Sequence, residues 1–188
     1  MEYPVDNYLS PYDVLGQSTL QGYTNISPDS DGIVRRIQPV QVFDGRSYDM
    51  FSSAVYREYC RVSGCEAITF PTDKYGKALI NYSGKPGDYE CLSLVDVING
   101  TIDSGIFDDS IVLVGAYATG MQDNFQVPNG GNEQMYGVEI HANILQGMFS
   151  GDFSVTANPY LTGIITAFLG FCIHLLFKRK HIWLSTIF

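Results

Sequence analysis

The sequence predicts an α/β fold with a mixed sheet, followed by a transmembrane helix. Strand-like and helix-like segments alternate before position 150, and Ile111 to Val114 form a continuous apolar run, typical of a strand covered on both faces. A second apolar run, 159–177, contains no Asp, Glu, Lys or Arg. As a helix it would span roughly 28 Å, close to the hydrocarbon thickness of a bilayer. These observations indicate one α/β domain attached to a membrane anchor.

The first predicted elements are a hairpin and a helix. The segment "GIVRRIQPVQVFDGRSYD" has short extended runs around Asp44-Gly45, a dipeptide that favours a tight hairpin turn. Apolar residues then recur at helical spacing between positions 50 and 62, and Gly64 supplies a stop. The recurring residues are Phe51, Ala54, Val55 and Val62. We therefore expect a hairpin followed by an amphipathic helix.

Four further elements precede the membrane run. The segment "ALINYSG" predicts a strand, and Ser93, followed three residues later by Asp96, predicts the N-cap of a short helix over "LVDVI". The Ile111 to Val114 run is the clearest strand, and "YGVEIHANILQGM" predicts the last helix of the domain. Its predicted core-facing residues are Val138, Ile144, Leu145 and Met148. Strands and helices in this order predict an α/β layer.

The basic cluster after the apolar run predicts the topology. Lys178, Arg179 and Lys180 mark a cytoplasmic border, so the residues before 159 are expected outside the cytoplasm of a cell-membrane protein. Residues 178–181 then form a basic turn, and 182–188, which are apolar again, begin a second transmembrane helix. An outer domain of this size needs export, but "MEYPVDNYLS" has no signal-peptide pattern. We therefore expect residues 1–157 to be an N-terminally incomplete outer domain that follows an upstream membrane span.

The charge of the outer domain argues against nucleic acid as a partner. Only three of the 11 basic side chains lie after position 158, and all 20 acidic side chains lie before it, so the outer part has 8 basic and 20 acidic residues and a net charge of −12. Such a surface repels phosphate backbones.

The cysteines allow one short disulfide outside the membrane. Cys60 and Cys65 in "CRVSGC" could close a small loop, which leaves Cys91 over, while Cys172 lies within the apolar run. The spacing lacks a second pair of zinc ligands, so no metal site is predicted.

The loop after the predicted Ile111 to Val114 strand is one candidate ligand site. Gly115 and Gly120 permit tight turns, and Asp123 offers a carboxylate at the edge where open α/β sheets bind ligands. Neither a phosphate-binding loop nor a dinucleotide fingerprint is present, so no cofactor is predicted. Asp123 could equally stabilise a turn.

A polar cluster in "EIHAN" is the other candidate site. Glu139, His141 and Asn143 occur in a segment otherwise built for burial. Glu139 and His141 are two apart and point to different faces of a helix, and no His-Glu-x-x-His zinc pattern is present. His141 and Asp123 could meet across the loop, either as a ligand-binding pair or as a satisfied core pair. The interpretation favoured here is structural, with the cluster holding the last helix against the neighbouring loop.

Taken in order, three segments resemble the second type of CHASE domain, the cyclases/histidine kinases associated sensory extracellular domain. They are "GYTNISPDSDGIVRRIQPV", "LSLVDVINGTIDSGIFDDSIVLVGAYATGMQDNFQVP" and "YGVEIHANILQGM". The resemblance implies an extracytoplasmic sensor, mostly bacterial, with an adenylate cyclase, diguanylate cyclase or kinase output outside this segment. It also implies a homodimer and an unidentified small-molecule or envelope ligand. It transfers no binding residue.

Two other functions are compatible with the residues. An extracytoplasmic, membrane-anchored enzyme could use Asp123 and His141 as an acid/base pair. A structural membrane module could bind a protein partner without signalling. The sensor interpretation predicts that this segment is not itself an enzyme.

Overall fold

The structure is a computed structural model that describes residues 9, 11–118, 120–155 and 157–179. The chain divides into two units, the first ending at Val155 and the second following it. The helices are α1 (Asp13–Gly16), α2 (Phe51–Ser63), α3 (Leu94–Ile98), α4 (Gly137–Ser150) and α5 (Pro159–Arg179), with a 3-10 turn at Ser104–Phe107. The strands are β1 (Arg36–Ile37), β2 (Val40–Phe43), β3 (Arg46–Asp49), β4 (Ala78–Leu79), β5 (Asn124–Gln126) and β6 (Gln134–Tyr136).

The described strands form three small antiparallel sheets, β1 with β4, β2 with β3, and β5 with β6. Two isolated parallel bridges join Tyr23 to Met50 and Ile33 to Gln126. The prediction of mixed helix and strand is thus correct at the level of class. The prediction of one mixed sheet is wrong for the described residues, where each sheet has two strands.

The predicted hairpin is confirmed as β2 and β3. Phe43 pairs with Arg46, and the two residues between them, Asp44 and Gly45, have φ values of 49° and 71°. Positive φ at both central positions is the backbone of a type I′ turn, which matches the twist of the flanking strands. The local Asp-Gly signal therefore determined this element.

The predicted helix at 50–62 is confirmed as α2, which ends at Gly64 in the left-handed conformation with φ of 76°. Its buried residues are Ser52, Ser53, Tyr56 and Cys60. Val62, which we expected on the apolar face, is 74% exposed. Ser52 is buried because it lies on the side of α2 that packs against α4.

The predicted strand at Ile111 to Val114 is not formed. No residue from 111 to 117 belongs to a strand, and no backbone hydrogen bond joins this segment to another described residue. Val112 and Val114 are 55% and 73% exposed, whereas Leu113 packs against the core. An apolar run becomes a strand only when a neighbouring strand supplies hydrogen-bond partners, and among the described residues none lies beside it.

Two weaker predictions are confirmed in part. Only Ala78 and Leu79 of "ALINYSG" form a strand, β4, which pairs with β1. The helix α3 forms with Ser93 at its N-cap, but the Ser93 side chain makes no capping hydrogen bond. Backbone bonds from Asp96 and Val97 to the Ser93 carbonyl close the first turn instead.

The core of the first unit lies between α2, α4 and the β5–β6 hairpin. Met50, Val127, Met135 and Ile140 are among its most completely buried side chains. Of the predicted core residues of α4, Ile144, Leu145 and Met148 are buried, and Val138 is half-buried. The amphipathic pattern of α4 was therefore a good guide to its inner face.

The second unit contains α5. Over Pro159–Lys178 its mean hydropathy is 1.9, and it is long and apolar enough to cross a membrane. Lys178 and Arg179 are its last residues. Lys180, the rest of the predicted basic turn and the predicted second span at 182–188 lie outside the described residues.

Candidate functional site

The three predicted polar residues Glu139, His141 and Asn143 all lie on α4 and are all buried, with exposed fractions of 3%, 5% and 0%. The helix begins directly after β6, and Gly151, with φ of 65°, ends it. A buried polar side chain is costly unless it is hydrogen-bonded, so the contacts of these residues explain why α4 tolerates them.

Glu139 and Asn143 hold a neighbouring loop, residues 83–88. The Gly87 N–H donates to Glu139 Oε1 at 2.7 Å, and the Gly84 N–H donates to Asn143 Oδ1 at 2.9 Å. The two side chains are four apart and therefore share one face of the helix. The 83–88 loop is thus attached to α4 through its own backbone. The cluster therefore contacts the 83–88 loop through Glu139 and Asn143, and not the loop after the predicted Ile111 to Val114 strand.

Both polar side chains also bond within their own region. The Tyr136 N–H donates to Glu139 Oε2 at 3.1 Å, which satisfies a backbone donor at the start of α4. Asn143 Nδ2 donates to the Glu139 carbonyl at 3.0 Å. Each side chain therefore has a partner for both of its polar ends, a condition that favours a single packing of helix and loop.

His141 makes a separate set of contacts. Its Nδ1 lies 2.6 Å from Ser52 Oγ on α2, and its Nε2 lies 3.4 Å from the Thr24 carbonyl oxygen. Phe51 meets the imidazole edge-on, with 5.3 Å between ring centroids. A carbonyl can only accept, so Nε2 carries the proton, and Nδ1 accepts from the Ser52 hydroxyl. His141 therefore joins α4 to α2 and to the segment that contains Thr24.

Burial lowers the pKa of His141 below its ordinary value of 6.5, against opposing effects of the Thr24 carbonyl and the Asp123 charge. Burial dominates because the charged imidazolium loses hydration in the interior. His141 is consequently held in its neutral form at neutral pH.

Asp123 does not pair with His141, although the sequence allowed the two side chains to meet. No hydrogen bond joins its carboxylate to the imidazole in the described part of the chain, and its influence on His141 is electrostatic. Its backbone carbonyl accepts from the Gly137 N–H at 2.9 Å, and a Cβ on Gly137 would come within 2.6 Å of Oδ1. Asp123 thus lies at the start of α4, where a carboxylate is favourable.

The two predicted loop glycines have different roles. Gly120 has φ of 98° and permits a turn. Gly115 is required for packing, since a Cβ there would lie 2.7 Å from Val138 Cβ. The loop does not follow a strand of an open α/β sheet, as was predicted, because the preceding segment is not a strand. A ligand-binding role for Gly115, Gly120 and Asp123 stays a prediction, and the position of the loop relative to a sheet does not support it.

The predicted short disulfide joins Cys60, buried on α2, to Cys65. Cys91 and Cys172 are free, and Cys91 is exposed. In the described residues no group of three or more His, Cys, Asp or Glu side chains could hold a metal ion.

The partners of the cluster were not among the residues predicted from the sequence. Ser52, Thr24, Gly84 and Gly87 come from three separate parts of the chain. One sequence feature does point to the 83–88 loop. The segment "SGKPGD" combines two glycines with a proline, which is typical of a turn, and the backbone N–H groups of a turn are not all hydrogen-bonded to a neighbouring strand. For Ser52 and Thr24 no local signal distinguishes them from surface residues.

These features define a mixed α/β domain that is followed by a candidate membrane helix and has a buried polar cluster on the helix preceding it. The chain belongs to the CHASE2 domain family, whose model matches residues 6–176. The predicted resemblance is therefore confirmed, and a CHASE2 domain is an extracellular sensory domain of signalling proteins. Comparison with curated proteins and with solved structures gave no match.

Proposed function

We propose that this chain is the extracytoplasmic sensory input region of a transmembrane receptor, with residues before 159 outside the cytoplasm. The cyclase or kinase output would lie outside this chain, and a homodimer would pair two such inputs. The observation that carries the proposal is the fastening of α4 by buried polar contacts, Glu139 and Asn143 to the 83–88 loop and His141 to Ser52. In sequence, α4 is the last helix before the apolar helix α5.

A sensor needs an element with two packings that a stimulus can bias. Hydrogen bonds made by buried polar groups suit this role, because a single broken bond leaves a desolvated group and favours an alternative arrangement. The ligand would be a small molecule or another envelope component that changes the contacts of the 83–88 loop or of α2.

The enzyme alternative has weaker support. An acid/base pair needs Asp123 and His141 within hydrogen-bond reach of each other or of a shared substrate. Ser52 and Thr24 occupy both ring nitrogens of His141, and its side chain is buried. We accordingly propose that this segment is sensory and not catalytic.

The test is a receptor chimera in which this chain precedes a reporter output domain in a cell membrane. Solutes, ions and envelope extracts are applied outside, and output is measured. We expect at least one condition to change output in the parent chimera, and Glu139→Gln to reduce the response several-fold, because one oxygen of its carboxylate becomes a donor facing a backbone N–H.

The matched control is Asn124→Ala, which removes a surface hydrogen bond to Gln134 and should leave the response unchanged. Both variants are compared at equal amounts of membrane-inserted protein. A response that persists after an unrelated domain replaces the first unit would refute the sensory role of this chain.

A further inference from the structure

His141 occupies a position at which a proton would alter the contact between two helices. Its ring bridges α4 and α2 through Ser52, whose exposed fraction is 0%, and reaches the Thr24 carbonyl on the opposite side. Phe51, also on α2, packs against the ring in a T-shaped arrangement. Three elements therefore meet at one titratable side chain.

Protonation would change the hydrogen bonding at this position. In the neutral ring Nδ1 accepts from Ser52, whereas in the charged ring Nδ1 becomes a donor. The Ser52 hydroxyl must then turn its own hydrogen away, and no second hydrogen-bond partner for it is found among the described residues. A buried donor without an acceptor is destabilising, as is a buried charge.

The charged groups around His141 do not compensate for this change. Asp123 is the described group whose charge acts on the imidazole, and it favours the protonated ring, but its effect is smaller than that of burial. On α4 itself Glu139 is engaged with two backbone N–H groups. On α2 Arg57 is paired with Asp49, and the two α2 residues in contact with the ring, Ser52 and Phe51, are uncharged.

We propose that acidification outside the cell is the stimulus, and that protonation of His141 loosens the packing of α4 against α2. This inference rests on the proposed sensory function and names its signal. The loosened element is α4, which leads in sequence to α5. No ligand pocket is required, because the proton reaches the ring during local opening of the helix pair.

The pH range follows from the direction of the pKa shift. The folded protein binds a proton at His141 less readily than the unfolded chain, whose histidine titrates near 6.5. The stabilising contribution is therefore fully present above pH 6.5 and is lost as the pH falls from 6.5 through the lowered folded pKa. The switch therefore works below pH 6.5, with the closed packing at neutral pH.

Amide hydrogen exchange of the full chain in lipid nanodiscs tests this directly. Exchange of peptides from α2 and α4 is followed between pH 7.5 and pH 4.5, after correction for the intrinsic pH dependence of exchange. We expect protection of α4 to fall several-fold below pH 6.5, together with a titration of the His141 ring signals in spectra of histidine-labelled protein. Unchanged protection in this range would overturn the inference.

Variants link the change to His141. His141→Gln should abolish the pH dependence, whereas His174→Gln, on α5, should keep it. If His141→Gln fails to fold, Asp123→Asn provides the test, because removal of its negative charge should move the midpoint to lower pH. An unmoved midpoint together with unmoved His141 ring signals would overturn the inference.

The reporter chimera separates this inference from the sensory function. An output that responds to other conditions, while exchange of α4 does not titrate, refutes the proton signal and leaves the sensory role standing. An output that responds to acid in the parent and not in His141→Gln supports both.

Discussion

At the scale of single residues, the two kinds of contact made by α4 follow from helical geometry. Glu139 and Asn143 are four apart and bond to the same loop, whereas His141, between them, points to another side and bonds to α2. One short stretch, "EIHAN", therefore fastens α4 on two sides. Because all three side chains are buried, the loss of any partner leaves a polar group without hydration.

The substitution Asn143→Leu tests the value of one of these contacts. Leu has as many side-chain heavy atoms as Asn but cannot accept from the Gly84 N–H, so a half-buried donor loses its partner. We expect the free energy of unfolding to fall by about 1–3 kcal/mol. Denaturant unfolding of the solubilised chain measures this, with Asn124→Ala at the surface as the control. Equal stabilities of the parent and Asn143→Leu would contradict the assignment.

At the scale of elements, α4 is positioned by close packing as well as by hydrogen bonds. Gly115 approaches Val138 so closely that any Cβ would overlap the valine side chain, at 2.7 Å from its Cβ. At the start of the helix, a Cβ on Gly137 would likewise overlap the Asp123 side chain, at 2.6 Å from its Oδ1. The irregular segment around Gly115 is thus fitted to α4, although it forms no strand with it.

A double-substitution experiment tests this fit. Gly115→Ala should destabilise the domain by about 1–3 kcal/mol, because a well-packed contact must shift to admit the methyl group. Adding Val138→Ala to Gly115→Ala should recover part of the loss, so that the two effects are not additive. Gly105→Ala is the control, since its nearest neighbour would lie 3.6 Å away. Additive losses would show that the two residues do not share the contact.

At the scale of the whole molecule, the chain combines an acidic first unit with an apolar helix that ends in basic residues. The first unit contains the core and the polar cluster, and the second contains α5, which ends at Lys178 and Arg179. The positive-inside rule then predicts that Lys178 lies on the cytoplasmic side and the first unit on the other.

Cysteine labelling in right-side-out membrane vesicles tests that topology. In a Cys172→Ser background the exposed Cys91 should react with a membrane-impermeant maleimide in intact vesicles. In a second variant, with Cys91→Ser and Lys178→Cys, we expect labelling only after the vesicles are permeabilised. Labelling of position 178 in intact vesicles would invert the proposed orientation.

The elements with strong local signals were predicted well. The Asp44-Gly45 hairpin and the 3.6-residue periodicity of α4 each depend on residues close in sequence, so the pattern contains the information. The Ile111 to Val114 strand was predicted on composition alone and is wrong, because strand formation depends on a partner that composition does not name. The buried face of α2 was also misjudged, since Ser52 is inside and Val62 outside.

The sequence by itself determined the family, the charge of the residues before position 159, the candidate membrane helix and the buried polar character of "EIHAN". These properties are local or compositional, so they can be read from the residues in order. Only the tertiary structure decided that Glu139 and Asn143 hold the 83–88 loop and that His141 bonds to Ser52 and not to Asp123. Those partners lie more than fifty residues away in sequence. The packing of the helices decides which polar group reaches each buried side chain, and that packing cannot be read from the local sequence.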